Sequence, residues 1–540
     1  MGGRAASDSK WRRYYRKVIA WTIYITFAGA AVLLFMPCVV SRWIALLTTV
    51  AGFAISLITL FQTAIVDLAH FKTIVRIPWV PMLGMEYHLA VDGVSLNMAL
   101  VTGLVAVTAV LFSWDVEHRQ NEFFFWLLLV VGGSYGVFLS ADLFLLFLFY
   151  ELVIVPKYFL IAIWGSTNKE YGAMKLTLYS FFGGALVFIG ILAIYVTAGK
   201  ENAASGLDLQ QLAQFQFSPQ LQSWAFPVLF IGFGVLAGVW PLHTWAPTGH
   251  VAAPTAGSML LAGIVMKLGA YGGLRVAMNL FPQGFHMWST WIAVLAVIGI
   301  VYAAGVALRQ RDLKFVIGYS SVSHMGFVLL GLATANVLGV SGAVLQMFSH
   351  GVIAALLFAV AGRMVYRRTH TRDLDTLSGM NLGRALPFAA FTFVIASAAS
   401  MGIPGFSGFA AEITILIGAW KAFPIAVWIT GTGMVLVAAF TLRALKKTFF
   451  GDSQSADSLS AEPFTTDSTF RKENQDVRMQ QGHVPVDADW NQQQDIAAPL
   501  TWAEKLGACL LMFGTLAVGL YPKLLLDRIL PAVEAMRFLK

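Results

Sequence analysis

The chain has 540 residues, of which 58% are hydrophobic and 12% charged, and its formal net charge is +8. Soluble proteins carry about 25% charged residues, so a chain with a mean hydropathy of +0.72 cannot be a set of water-soluble domains. Apolar runs of about 20 residues recur along it, which is the mark of transmembrane helices, and the short alternating segments of a membrane β-barrel are missing.

Taken in order, the apolar runs predict about 14 spans, near 18–36, 43–62, 95–113, 122–139, 141–164, 174–196, 225–247, 252–278, 286–306, 314–335, 339–363, 386–420, 422–447 and 500–521. A basic stretch with Lys10, Arg12, Arg13, Arg16 and Lys17 precedes the first span. No small-residue cleavage site follows that span, so it reads as a helix rather than a signal peptide. Segment 64–94 is polar and punctuated by Pro78, Pro81 and Gly84, and is expected to form a short hairpin on the outer face. Segment 451–499, rich in Asp, Ser and Gln, reads as an acidic surface loop, either a solvated linker or a contact for a partner. Cys38 and Cys509 fit no disulfide framework, CxxC pair or cluster spacing and are expected to be small apolar packing residues.

Loop charges give an orientation. Loops after odd-numbered spans hold Arg42, Arg119, Lys169, Arg309, Arg311, Arg367, Arg368, Arg372, Arg443, Lys446 and Lys447, while the others hold mainly Lys72, Arg76, Lys200 and Lys421. The positive-inside rule then puts the odd loops in the cytoplasm and both termini outside, against the basic N-terminal stretch. The same rule accounts for the positive balance without nucleic acid.

The functional signal is charge at membrane depth. A charge at the bilayer centre costs about 2.5–3.5 kcal/mol on the mildest scale, so such residues face a protein interior or a hydrated path. Glu151 stands mid-span in LFLLFLFYELVIVPKYFLIAIW and needs a partner or a proton. Lys267 is central in TAGSMLLAGIVMKLGAYGGLR, where burial favours release and recovery of a proton. Lys175 lies nearer a helix end, where snorkelling is an alternative. His324 and His350 fall on adjacent spans among Ser320, Ser321, Ser323 and Ser349, either as relays or as satisfied core histidines. Glu412 follows an interruption at Pro404, Gly405 and Gly408, and a similar interruption around Pro241 and Pro247 contains His243. His250 falls just after it, at the start of span 8, where a loop-end role is equally open. Paired interruptions in two halves of a transporter chain point to broken helices at a translocation site. No P-loop, dinucleotide fingerprint, HExxH or haem-type site is present, so bond-making chemistry is not indicated.

The stretches FYELVIVPKYFLIAIWG, PLHTWAPTGHVAAPTAGSMLLAGIVMKLGAYGGLR, RDLKFVIGYSSVSHMGF, LQMFSHGVIAALLF, RRTHTRDLDTLSGM and GIPGFSGFAAEITIL resemble the M-type antiporter-like subunits of proton-pumping NADH–quinone oxidoreductase, bacterial complex I. The likeness runs from about residue 75 to 450. It implies an all-α polytopic protein of the bacterial inner membrane. Its parts would be N-terminal helices and a hairpin (1–121), two inverted five-helix repeats (122–278, spans 4–8, and 286–450, spans 9–13), the acidic loop (451–499), and a C-terminal helix and tail (500–540). It further implies broken helices 7 and 12, no cofactor in this chain, and partnership with the L-type and N-type membrane subunits and with lipid.

By the same resemblance Glu151, Lys267, His324 and Glu412 stand at proton-path positions, and Lys175 and His350 at polar ones. One member departs: the position of the span-7 Lys, five residues before the Pro-x-His turn, is Leu236. An opposite charge about 7 Å from Glu151 at an effective dielectric near 20 would be worth about 2.4 kcal/mol. Lys157 lies six residues on from Glu151, about 240° round a regular helix, and does not share its face; a long side chain reaching the path through neighbouring helices, a Lys lent by another helix and a changed pump all stay open. The family's Asp after the broken helix is also missing, the sequence being WAPTGH. A cation/proton antiporter subunit or a hydrogenase-type membrane subunit would carry the same motifs.

Overall fold

The computed structural model describes residues 17–200, 206–451 and 498–539. The basic stretch up to Arg16 and all but the edges of the 451–499 loop lie outside the described residues. Within them the chain is almost entirely helical.

The first helices are α1 (Trp21–Leu33) and α2 (Cys38–Gln62, entered through Pro37). The expected hairpin follows as strands β1 (Lys72–Val80) and β2 (Met85–Val91), antiparallel with Arg76 opposite His88. Gly84 closes its turn at φ 64°, a left-handed conformation that glycine adopts without steric cost. Asp92 and Ser95 then form a reciprocal capping box that starts α3 (Gly93–Leu111). Every residue of α3 is buried, and α2, α4, α12, α16 and α17 are among the helices that pack on it.

Next come α4 (Gln120–Leu139), α5 (Leu143–Trp164) and α6 (Lys169–Lys200). α5 breaks at Val153. Pro156 is the cause, because it has no N–H for the carbonyl of Leu152 and its ring crowds that oxygen. α7 (Pro219–Ala237) starts six residues earlier than the apolar run predicts, because Ser218 caps the Leu221 N–H and Pro219 takes the first helical position. It stops at Gly238, φ 75°. After the break, α8 (Trp245–Ala252) holds Pro247 in its first turn, where a missing N–H costs nothing.

α9 (Thr255–Met278) contains π-helical turns at Leu261–Val265 and Gly273–Met278. Then follow α10 (Pro282–Arg309), α11 (Leu313–Ala333) and α12 (Val337–Thr369). The expected second broken helix appears as α13 (Pro387–Ser400) and α14 (Ser407–Ala422), with Gly402 at φ 68° and Gly405 at φ 98° between them. Gly408 is not part of that break but lies inside α14. α15 (Pro424–Phe449), α16 (Trp502–Leu520) and an amphipathic α17 (Lys523–Glu534) complete the described chain.

Twelve of these helices are long and apolar enough to cross a membrane. The other two predicted spans differ: span 1 is described as a 13-residue helix, and span 12 is split in two. Large apolar side chains such as Leu47, Ile425, Trp428 and Phe513 stand exposed on the outside. Such a belt fits lipid rather than water. Cys38 and Cys509 are exposed too, so the expectation that they fill the core is corrected.

The two halves share a joint. Asp142 caps α5 and bridges to Asp208, flanked by Leu143 N–H to Leu207 O and Leu209 N–H to Ala141 O, each 2.8 Å. Asp312 caps α11 and bridges to Asp373, flanked by Leu313 N–H to Arg372 O at 2.9 Å and Leu374 N–H to Arg311 O at 2.8 Å.

Two loop cations read from sequence as topology signals are structural. Arg368 is buried and bound to Glu504 of α16 at 2.9 Å. Arg372 is buried against Asp312 at 3.2 Å and donates to Thr167 Oγ1 at 3.0 Å.

Candidate functional site

The π-turn at Leu261–Val265 shapes the centre of the site. A π-turn leaves backbone carbonyls without their usual α-helical donor. Lys267, fully buried one turn later, turns its Nζ back to the carbonyl of Ala262 and also places it 2.8 Å from His350 Nδ1 on α12.

His350 carries the contact onward. Its ring lies 5.5 Å from that of His324 on α11, the two planes inclined by 8°. His324 Nδ1 is 2.8 Å from the Ser320 carbonyl and Nε2 is 3.0 Å from the Ser400 carbonyl. Two carbonyl acceptors suit one N–H of a neutral ring and both of a charged one, so this ring can gain a proton without moving. Ser400 ends α13, and its carbonyl is available because the helix breaks there. Glu412 Oε1 on α14 is 3.7 Å from His324 Nε2 and 3.4 Å from Gln346 Nε2, which donates to it. Lys267, His350, His324 and Glu412 are all at least 96% buried and form one continuous row across α9, α12, α11 and α14.

Glu151 stands apart from this row. Its Oε1 lies against Gly184 of α6, and a Cβ at that position would overlap it. The neighbouring Gly183 packs on Val235 of α7, next to Leu236, which is fully buried among apolar groups. Lys175, on α6, reaches Thr248 Oγ1 at 3.4 Å and lies over the Tyr171 ring. His243, in the first break, packs its ring on Tyr302 and Tyr319.

His250 is not a loop-end residue at the start of span 8. It is fully buried in the last turn of α8, because the break displaces that turn inward, and its ring meets Phe358 at 4.8 Å. Lys314 was not singled out from sequence: two residues after a capping Asp312, it looks like an ordinary helix-end charge. In the structure it is buried, with Nζ 2.9 Å from the Ala253 carbonyl. Gln346 and the Ser400 carbonyl were also missed, since neither is charged. Ser321 and Ser323 do not line the row; they bond the carbonyls of Ile317 and Ile300 at 3.1 and 3.0 Å.

Outside the spans, the ligand atoms of Glu86, His88 and Asp208 lie within 4.8 Å of one another. Arg76 reaches Glu86 at 2.6 Å and Asp208 at 3.2 Å, and His88 Nδ1 reaches Asp208 at 3.2 Å. This cluster ties the hairpin to the α5 joint, where the Glu86 N–H donates to Asp142 Oδ2 at 3.2 Å. Burial pushes the carboxyl of Asp142 at that joint up to about 6, against three backbone N–H groups that favour its charge. Burial also acts on Asp208, but His88 and the N–H groups of Gln210 and Gln211 outweigh it and hold that carboxyl low.

The family described as NADH:quinone oxidoreductase/Mrp antiporter, TM, matches residues 140–438. The chain is 36% identical to NAD(P)H-quinone oxidoreductase chain 4 1 of Synechococcus elongatus over 489 residues, 89% of this chain and 84% of that one. It is 38% identical to NADH-quinone oxidoreductase subunit M of Escherichia coli (strain K12), covering 77% of this chain and 83% of that one. Its fold resembles a chain of respiratory complex I from Thermus thermophilus with bound NADH, with TM-score 0.80, 23% identity, and 96% and 98% of the two chains covered. It also resembles a chain of the Mrp complex from Dietzia sp. DQ12-45-1b, with TM-score 0.77, 22% identity, and 96% and 97% covered. The chain belongs to the NADH:quinone oxidoreductase/Mrp antiporter transmembrane family, as a multi-pass membrane relative of its subunit M and chain 4 proteins.

Proposed function

We infer that this chain is a proton-translocating membrane subunit of an NADH–quinone oxidoreductase in the bacterial inner membrane, where quinone reduction elsewhere in the complex drives proton movement. The observation that carries the reading is the buried row Lys267, His350, His324, Glu412, in which the ammonium side chain meets one imidazole, the two imidazoles stack, and the second lies 3.7 Å from the carboxyl. A side-chain ammonium, two imidazoles and a carboxyl in succession can each hold and pass a proton, and lipid-embedded charges are costly enough that a functional role is their default reading. Relatives at 36–38% identity carry the quinone oxidoreductase name, while the likeness to the Mrp complex is one of fold; this favours a redox-driven pump over a free-standing antiporter.

In this mechanism Glu151 is a switch that changes between charged and protonated states. Lys267 takes up or releases a proton as its partner changes. His350 and His324 relay it, and Glu412 delivers it toward the outer side. Lys175 and His243 lie on the feeding side of the row, around the first break. Electron carriers belong to other subunits, and the flanking partners are the L-type and N-type subunits and lipid.

The test is Glu151→Ala in membranes, with NADH-driven proton pumping and quinone reduction both measured. A loss of pumping supports the switch. Wild-type rates of both would overturn it, and sodium-gradient transport without NADH oxidation would instead favour the antiporter reading.

A further inference from the structure

Glu151 and Lys157 share an unusual condition. Among the described residues, Glu151 Oε1 and Lys157 Nζ are both buried atoms with no hydrogen-bond partner. A buried charge left alone is strongly disfavoured and needs an opposite charge or water. Lys157 is only 2% exposed, so snorkelling to the surface does not satisfy it.

Along Leu143–Trp164 they are the two charged residues, of opposite sign and six positions apart on one helix. The alternatives are absent from the neighbouring helices. α7, which packs on α6 beside Glu151, has no charged residue along Pro219–Ala237, and Leu236 is fully buried there. Lys175 of α6 is nine residues from Gly184, about 13 Å along the axis, and is turned to Thr248.

With the helix interrupted at Val153, Lys157 lies against Val130 of α4 and Gly257, Leu260 and Leu261 of α9. These groups line an apolar cavity of about 10 Å³. α9 is the helix that carries Lys267. Lys157 therefore sits between the helix of the Glu151 switch and the helix of the relay.

We propose that Lys157 is the counter-charge of Glu151 in this chain, a positioning residue that acts through that carboxylate and replaces a cation on α7. The proposal rests on the reading of Glu151 as a proton-carrying switch. It makes Lys157 and Leu236 a linked pair: the cation is needed, but on either helix.

The experiment uses the whole complex in membrane vesicles, with assembly checked on native gels and NADH-driven proton pumping measured. The variants are Lys157→Met, Lys157→Arg, Glu151→Gln, and the double variant Lys157→Met with Leu236→Lys. Lys157→Met is expected to pump at least fivefold more slowly. Lys157→Arg and the double variant are each expected to recover at least half of the wild-type rate. Wild-type pumping by Lys157→Met while Glu151→Gln fails would overturn the proposal and leave the Glu151 reading intact. Wild-type pumping by both would overturn the Glu151 reading itself. If Lys157→Met does not assemble, the double variant decides: assembled and pumping supports the proposal, assembled and inactive overturns it.

Discussion

Lys267 Nζ stands 2.8 Å from His350 Nδ1, with both residues buried at membrane depth on different helices. At that distance one hydrogen lies between the two nitrogens: either an ammonium donates to a neutral imidazole, or the imidazole N–H donates to a neutral amine. The two groups share one proton position, and a second charge there would face its like at contact distance. The pair can therefore pass a charge but cannot store two. This is the physical core of the relay, and it depends on the π-turn that brings Lys267 back toward Ala262.

At the other end of the row, Glu412→Gln keeps the shape of the side chain and an oxygen for the Gln346 amide, now 3.4 Å away. It removes the titrating proton. General acid–base groups contribute about 10²–10⁴ in rate. Proton pumping by the assembled complex is expected to fall at least about tenfold, read as the initial rate of dye-reported acidification of vesicles. An undiminished rate would take Glu412 out of the path.

Gly184 tests the packing of the switch. A Cβ there would overlap Glu151 Oε1, so Gly184→Ala must displace the carboxylate from α6. Overpacking of this kind costs about 1–3 kcal/mol, and pumping is expected to drop about fivefold or more without loss of assembly. Comparing Gly184→Ala with Gly190→Ala, whose Cβ would meet Leu229 first, separates a local effect on Glu151 from general crowding of α6.

Arg275 and Asp92 form a buried ion pair at 2.6 Å that joins the end of α9 to the cap of α3. Removing one partner of such a pair typically costs about 3–5 kcal/mol, because the other charge is left uncompensated. Arg275→Met is expected to lower the temperature at which the complex dissociates, followed on native gels. The double variant with Asp92→Asn is expected to regain much of the loss. Equal instability of single and double variants would show that the charge is not the cause.

Asp142 gives a pH signature outside the spans. Its carboxyl is pushed up to about 6 by burial, so it is neutral below that value and charged above it. A raised folded value means that the stabilising contribution is whole below the unfolded value, near 3.9, and is lost as pH rises through about 6. The loss at the hairpin joint is about 3 kcal/mol at neutral pH, from a shift of about two units. An infrared carboxyl band that titrates near pH 6 in the wild type and is missing in Asp142→Asn is the expected result. A band that titrates near 4 would contradict it.

Sequence showed the charged members of the site and both broken helices, because a charge in an apolar run and a Pro–Gly interruption are local signals. It did not show what joins them. The Lys267–His350 contact and the stacking of His350 on His324 depend on how α9, α11 and α12 pack, which periodicity does not encode. His350 therefore looked secondary in sequence but is the middle of the row. Lys314 was hidden by its place next to a helix cap, and α17 by being amphipathic rather than apolar, with Leu525, Ile529, Ala532 and Val533 on its buried face. Sequence places Lys157 off the face of Glu151 on a regular helix, and the interruption at Val153 ahead of Pro156 is a local feature that periodicity does not show.

The relay is tested most directly at His350, which touches Lys267 and stacks on His324. His350→Phe keeps a flat ring of similar size and removes both nitrogens. The measurement is NADH-driven proton pumping by vesicles that hold the assembled complex. A fall of at least about tenfold is expected if protons pass along the row. Pumping at the wild-type rate by the assembled variant would contradict it.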